Sequence, residues 1–244
     1  MPISKIIHLI RFNTGYPFVL LVLVCIGILV SYCKKDVETV PPADMGYNYF
    51  PDDTGRYVIY EVDSISYDDK SHAPDTTRYL LREEIVSSFL DISGRATLRI
   101  ERFKKMYNDS VPYDSIDWVG PRIWYANRTS TTAEKVEENI RYIKLVFPSK
   151  EGKEWDGNSY NTLGQKYYEI ISVDESETIN NISFDSVITV QQYKQIGFIQ
   201  YIFEIEKFAR NVGLIYKVRD SLYDGGTADT IGYTYRQKIV SYGK

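Results

Sequence analysis

The sequence is poor in the residues that carry most chemistry at neutral pH. Its 244 residues hold two cysteines and two histidines. Cys25 lies inside an apolar run and Cys33 closes the stretch after it, so nothing downstream can form a disulfide or a thiolate metal site. His8 is in the leader, and a Ser-His-Asp triad would have to pass through His72, with no GxSxG elbow in the chain. The acids around His72 (Asp68, Asp69, Asp75) match neither a helical zinc motif nor a calcium loop, and DDKSHAPD reads as a solvated turn. No glycine-rich phosphate loop is present, and no cofactor is expected. Basic excess is also missing. Beyond residue 32 there are 27 basic against 33 acidic residues, a net charge of −6, the wrong sign for a nucleic-acid surface.

Long apolar runs are confined to one place. Met1–Asn13 carries Lys5 and Arg11 and no acid, and Phe18–Val30 is then apolar except for Gly27. A basic start, a short apolar run and an exit make a secretory leader. The run is about 15 residues, short of the roughly 20 that a spanning helix needs. It ends in Val30-Ser31-Tyr32-Cys33, which resembles a bacterial lipobox, although Tyr32 stands where that pattern has a small residue. Acylation at Cys33 would anchor the chain through several fatty chains, where one alone holds only marginally. The competing reading is an uncleaved anchor with an incidental cysteine. The expected organisation is a signal over 1–32, a charged, proline-containing tether over 33–46 and a single β domain over 47–244.

What the chain has in quantity is tyrosine, 22 residues, together with many Ile, Val and Thr, a composition that favours strands. Arg56–Tyr67 and Thr76–Asp91 read as a hairpin around DDKSHAPD, with Tyr79, Leu81, Ile85 and Phe89 facing the core. Arg95–Tyr107 alternates apolar and polar residues, and further strands are read at Arg122–Thr129, Ile140–Phe147, Lys166–Asp174, Phe184–Gln192, Phe198–Lys207, Gly213–Leu222 and Thr230–Tyr242. Thr131–Asn139 fits a short helix capped by Thr131 and Glu134 as well as a hairpin. About ten long antiparallel strands with almost no helix predict an all-β fold, an up-and-down barrel or a strongly curved closed sheet. A β-sandwich is the alternative.

An internal echo links Phe50-Pro51-x-x-x-Gly55-Arg56-Tyr57 to Phe147-Pro148-x-x-x-Gly152-Lys153-Glu154-Trp155. It raises either a duplication breaking near 147 or a common way of entering a strand. YFPDDTGRYVIYEVDSI (Tyr49–Ile65), LVFPSKEGKEWDGNSYN (Leu145–Asn161), FDSVITVQQ (Phe184–Gln192) and EKFARNVGLIYK (Glu206–Lys217) resemble a group of Bacteroidota-type exported lipoproteins. That resemblance implies a β-rich, lipid-anchored protein of the outer membrane and brings no catalytic residues. Asp-[Ser/Thr]-aliphatic or Thr occurs seven times, where composition predicts about one. The hydroxyl residues are Ser64, Thr76, Ser110, Ser115, Ser186, Ser221 and Thr230. The pattern resembles the O-glycan acceptor of exported proteins in the same bacterial group, and it is equally ordinary hairpin grammar.

Candidate reaction centres are few. Glu83 and Glu84 alternate to opposite faces, whereas Glu204 and Glu206 share one, a spacing open to a two-carboxylate glycosidase but equally ordinary on the wet side of a strand. Trp118, Trp124 and Trp155 are candidates to line a ligand cavity, against the plainer role of filling a cysteine-free core. The sequence therefore points to a non-enzymatic, membrane-anchored lipoprotein that holds a small apolar ligand, a glycan or a protein partner. An exported glycan hydrolase and an accessory subunit of an outer-membrane machine are the alternatives. No nucleic-acid partner is expected.

Overall fold

A computed structural model describes residues 43–68, 73–108, 110–224 and 230–244. Asp44–Lys244 forms one compact unit. Its strands are β1 (Tyr57–Tyr67), β2 (Asp75–Leu90), β3 (Ala96–Met106), β4 (Val119–Arg128), β5 (Thr132–Glu137), β6 (Ile140–Val146), β7 (Glu154–Asp156), β8 (Tyr167–Ile179), β9 (Ile182–Ile196), β10 (Gln200–Ala209), β11 (Gly213–Asp224) and β12 (Thr230–Gly243). All pairings are antiparallel within one 12-stranded sheet of order β6-β5-β4-β3-β2-β1-β12-β11-β10-β9-β8-β7. Read as a ring, this is sequence order, broken among the described residues between β6 and β7. The fold is a nearly closed up-and-down barrel, and the two-sheet sandwich is excluded.

Two strands go beyond the ten read from the sequence. Thr131–Asn139 is the hairpin and not the helix: β5 turns into β6 at Glu138 and Asn139, whose φ values are 48° and 68°. Asn180 and Asn181, at 49° and 65°, turn β8 into β9 in the same way. Two successive positive φ values match the right-handed twist of the flanking strands, and Asn tolerates them best after Gly. The other added strand, β7, is only three residues long.

Closure is unequal around the ring. β1 pairs with β12 along its whole length, from Tyr57↔Gly243 to Tyr67↔Gly232. At the β6–β7 break, one backbone bond crosses, from Ile143 N–H to Gly157 O (2.9 Å). Side chains serve two edge carbonyls of β6: Trp155 Nε1–H donates to Ile143 O and the Asn161 amide to Arg141 O, each at 2.9 Å. An open strand edge leaves a row of unpaired donors and acceptors, and here indole and amide groups cover it. On its other side Gly157 packs against β8, where a Cβ would fall 2.4 Å from the Tyr168 ring.

β-Bulges decide which residues face inward. β2 presents Tyr79, Leu81, Glu83 and Ile85 on one face, but a bulge after Ile85 reverses the alternation. Phe89, expected in the core, is therefore 46% exposed. A second bulge at Ile215 puts Leu214 and Lys217 on the same inner wall, where strict alternation would have separated them.

The segment Asp44–Arg56 lies across the end of the barrel from which β1 starts. Arg128, at the end of β4, donates to Tyr47 O (3.1 Å) and Phe50 O (3.2 Å) and pairs with Asp52 at 2.6 Å. Asn211 N–H, in the β10–β11 turn, donates to Asn48 O at 2.7 Å. Tyr49 is 1% exposed, and its hydroxyl donates to Asp174 at 2.6 Å. Asp174 also receives Ser186 Oγ and Arg210, and these three bonds hold its carboxyl at about 2. The segment Asp44–Arg56 thus serves as a plug for this end.

Candidate functional site: a charged belt inside the barrel

Beneath the plug lies a cavity of about 120 Å³. Its lining comes from nearly the whole ring: β1 through β6, β10 through β12, and Phe50 and Pro51 of the plug. One part is apolar, with Val58, Leu98, Ile100 and Phe208 among its walls. The other is a belt of ionised groups. Glu83 receives Arg102 at 2.7 Å and Lys135 at 2.8 Å. Glu206 Oε1 receives Lys144 at 2.8 Å and Lys217 at 3.0 Å, while Lys144 also reaches Glu137 at 3.1 Å.

These groups are dry. Glu206 is 0% exposed and the Lys144 side chain 6%. Burial opposes ionisation of Glu206 and Glu137, but Lys144 and Lys217 outweigh it and hold both carboxyls well below the usual range. For Lys144, burial favours the neutral amine, and Glu137 and Glu206 reverse that, so the ammonium is retained far above its ordinary range. Glu83 is likewise depressed, against its burial, by Lys135 and Arg102. Charges this deep persist only where each is paired.

The belt is not fully satisfied. Glu206 Oε2 and Gln237 Nε2 are buried without a hydrogen-bond partner, and both residues line the cavity. Tyr235 O–H donates to Gln237 Oε1 at 2.8 Å, which fixes the amide and leaves its nitrogen free. Glu206, Lys217 and Gln237 form one register row across β10, β11 and β12. Buried polar atoms are nearly always partnered, so two orphans in one cavity call for a donor and an acceptor there.

Of the tryptophans read from the sequence, Trp124 lines the cavity. Arg102 stacks on it with the guanidinium carbon 3.3 Å from the ring centroid, and Lys135 Nζ lies at 5.0 Å. Trp155 belongs to the core beside Tyr168, and Trp118 lies on the β3–β4 loop, outside the cavity lining. Glu204 and Glu206, expected on a wet face, are both buried. Glu204 pairs with Lys166 at 2.7 Å, away from the Glu206 pairs. The belt itself was missed by sequence reasoning; its signal is charged residues at alternate positions of strands whose neighbours on both faces are apolar.

The other positions read from the sequence scatter. Cys33, Asp69 and His72 fall outside the described residues. Thr76, Ser110, Ser115 and Thr230 are exposed, Ser64 and Ser221 are half-buried, and all six lie toward the end of the barrel opposite the plug. Ser186 is committed to the Tyr49–Asp174–Arg210 cluster. Among the described residues no cluster of three His, Cys, Asp or Glu side chains is arranged to hold a metal.

No protein-family model matches the chain, and no curated protein matches it. Solved structures do. The chain is similar to a Bacteroides fragilis protein named as exported, with a YmcC-like fold, at 9% identity and a TM-score of 0.43, covering 80% of this chain and 98% of that one. It is also similar to a Parabacteroides distasonis protein named as a lipoprotein, at 13% identity and a TM-score of 0.40, over 80% and 98%. A Vibrio parahaemolyticus domain named for outer-membrane lipoprotein sorting matches at 9% identity and a TM-score of 0.19, over 78% and 85%. Identities this low leave the chemistry of this chain to its own residues.

Proposed function

We propose that this protein is an exported, lipid-anchored lipoprotein whose barrel interior binds a small ligand. The observation that carries the binding role is the pair of unpartnered buried atoms, Glu206 Oε2 and Gln237 Nε2, in one lined cavity. The leader and Cys33 support the anchor, and the outer membrane is the destination their pattern implies. The interior supports a binding role over hydrolysis, because each carboxylate of the belt is neutralised by cations. A general acid needs a raised pKa, and these are lowered.

Three tryptophans make the test economical. In the full-length chain in detergent, labelled with 15N-tryptophan, fragments that enter the barrel shift the Trp124 indole signal and leave Trp118 and Trp155 in place. Leu98→Phe fills the cavity and removes the shift. A fragment panel that leaves Trp124 unmoved rejects the binding role. For the anchor, radiolabelled fatty acid is incorporated into the wild type and not into Cys33→Ser; equal labelling of the two rejects acylation at that thiol.

A further inference from the structure

Resting on that reading, we infer that the interior ligand is a small hydroxylated organic anion, of the size and chemistry of a sugar acid. Two independent features of the cavity point there. The first is charge. The belt's two ion-pair groups together set four cations, Arg102, Lys135, Lys144 and Lys217, against three carboxylates, Glu83, Glu137 and Glu206. The other ionised lining residues, Glu84 and Arg56, pair outward with Arg82 and Asp53 and leave the balance unchanged. The chain as a whole is acidic, at −4, so a cation excess in its interior runs against composition. A bound anion removes that imbalance.

The second feature is the orphan pair. Glu206 Oε2 lacks a donor and Gln237 Nε2 lacks an acceptor, in one row of the wall. A hydroxyl group does both jobs, donating to the carboxylate and accepting from the amide. A plain fatty acid would satisfy the cations but leave both atoms orphaned. A neutral sugar would satisfy the orphans but not the charge. A site that hydrogen-bonds a hydroxyl rejects the analogue lacking it, because its buried polar groups are then left unpaired.

The experiment uses the same 15N-tryptophan chain and three probes: D-glucuronate, D-glucose and hexanoate. Glucuronate is expected to shift Trp124 with at least tenfold higher affinity than either of the others, and its affinity should fall as salt is raised. Gln237→Met removes the free donor and weakens glucuronate about tenfold while leaving hexanoate unchanged. Glucose binding as tightly as glucuronate would overturn the anion assignment, and hexanoate doing so would overturn the hydroxyl. Either result leaves the interior site standing. If none of the three moves Trp124, the sugar-acid assignment falls, and the binding role falls with it only if the wider fragment panel is also silent.

Discussion

Two regions of the same interior are built from the same strands and hold together differently. On the side of β6 to β10, Leu145, Ile170, Ile188, Val190 and Phe208 pack with Tyr49 of the plug into a fully apolar cluster. Toward β2, β3, β5 and β11 the interior becomes the charged belt. The switch happens within single strands: β10 carries Glu206 and Phe208, β3 carries Ile100 and Arg102, and β2 carries Leu81 and Glu83, each pair two residues apart on the inner face. The apolar region draws its stability from area removed from water, at roughly 25 cal/mol per Å². The belt draws little net stability from its pairs, because desolvation offsets most of the attraction. It is expensive to break and inexpensive to keep, the character of a site more than of a core.

That contrast can be broken at graded cost. The largest effect is expected from Glu206→Leu, which leaves Lys144 and Lys217 buried without their shared partner. Urea unfolding should show a loss of about 3–5 kcal/mol. A loss under about 1 kcal/mol, typical of an exposed pair such as Arg78–Asp63, would mean that the belt is wet. Next comes the apolar region. Ile188→Ala, at a site 0% exposed, should cost about 2–4 kcal/mol by the same measurement. Arg128→Ala cuts the plug free of β4, at about 1–3 kcal/mol, and should raise hydrogen exchange at Tyr49 and Phe50 more than anywhere in the wall. The smallest effect is expected at the β9–β10 turn, where Phe198 is fully exposed; Phe198→Ser should change stability by no more than about 0.5 kcal/mol.

The same contrast explains what could be read from the chain. Strand existence was legible, because long alternating runs such as Arg95–Tyr107 and turns such as Asn180-Asn181 act locally. The barrel was legible from strand length and number. The interior was not. Period-two alternation separates two faces without saying which is wet, and the apolar face of a strand was read as the inner one. In β10 that assigned Glu204 and Glu206 to solvent, whereas both are buried. Partners such as Lys144 lie 62 residues away, beyond any local pattern. Bulges at Ile85/Ser87 and at Ile215 shift the faces midway and leave no marker in composition. The two copies of the internal echo share a local geometry. Gly55 N–H donates to Ile85 O (2.7 Å) and Gly152 N–H to Ile170 O (2.8 Å), with Ile85 and Ile170 donating back to Arg56 O and Lys153 O. Both glycines have positive φ, 84° and 74°. The repeated phrase therefore enters a strand in the same way ahead of β1 and ahead of β7.

The central claim is that the interior charges are dry, paired and ionised. A carboxylate titration of Glu206 by 13C NMR tests this most directly. A depressed folded pKa means that the belt stabilises the fold fully above the ordinary glutamate value of 4.5 and that this contribution is lost as pH falls through the folded value. The account predicts that the Glu206 signal stays ionised below pH 4.5 until the chain unfolds. A titration midpoint at or above 4.5 in the folded protein would contradict it.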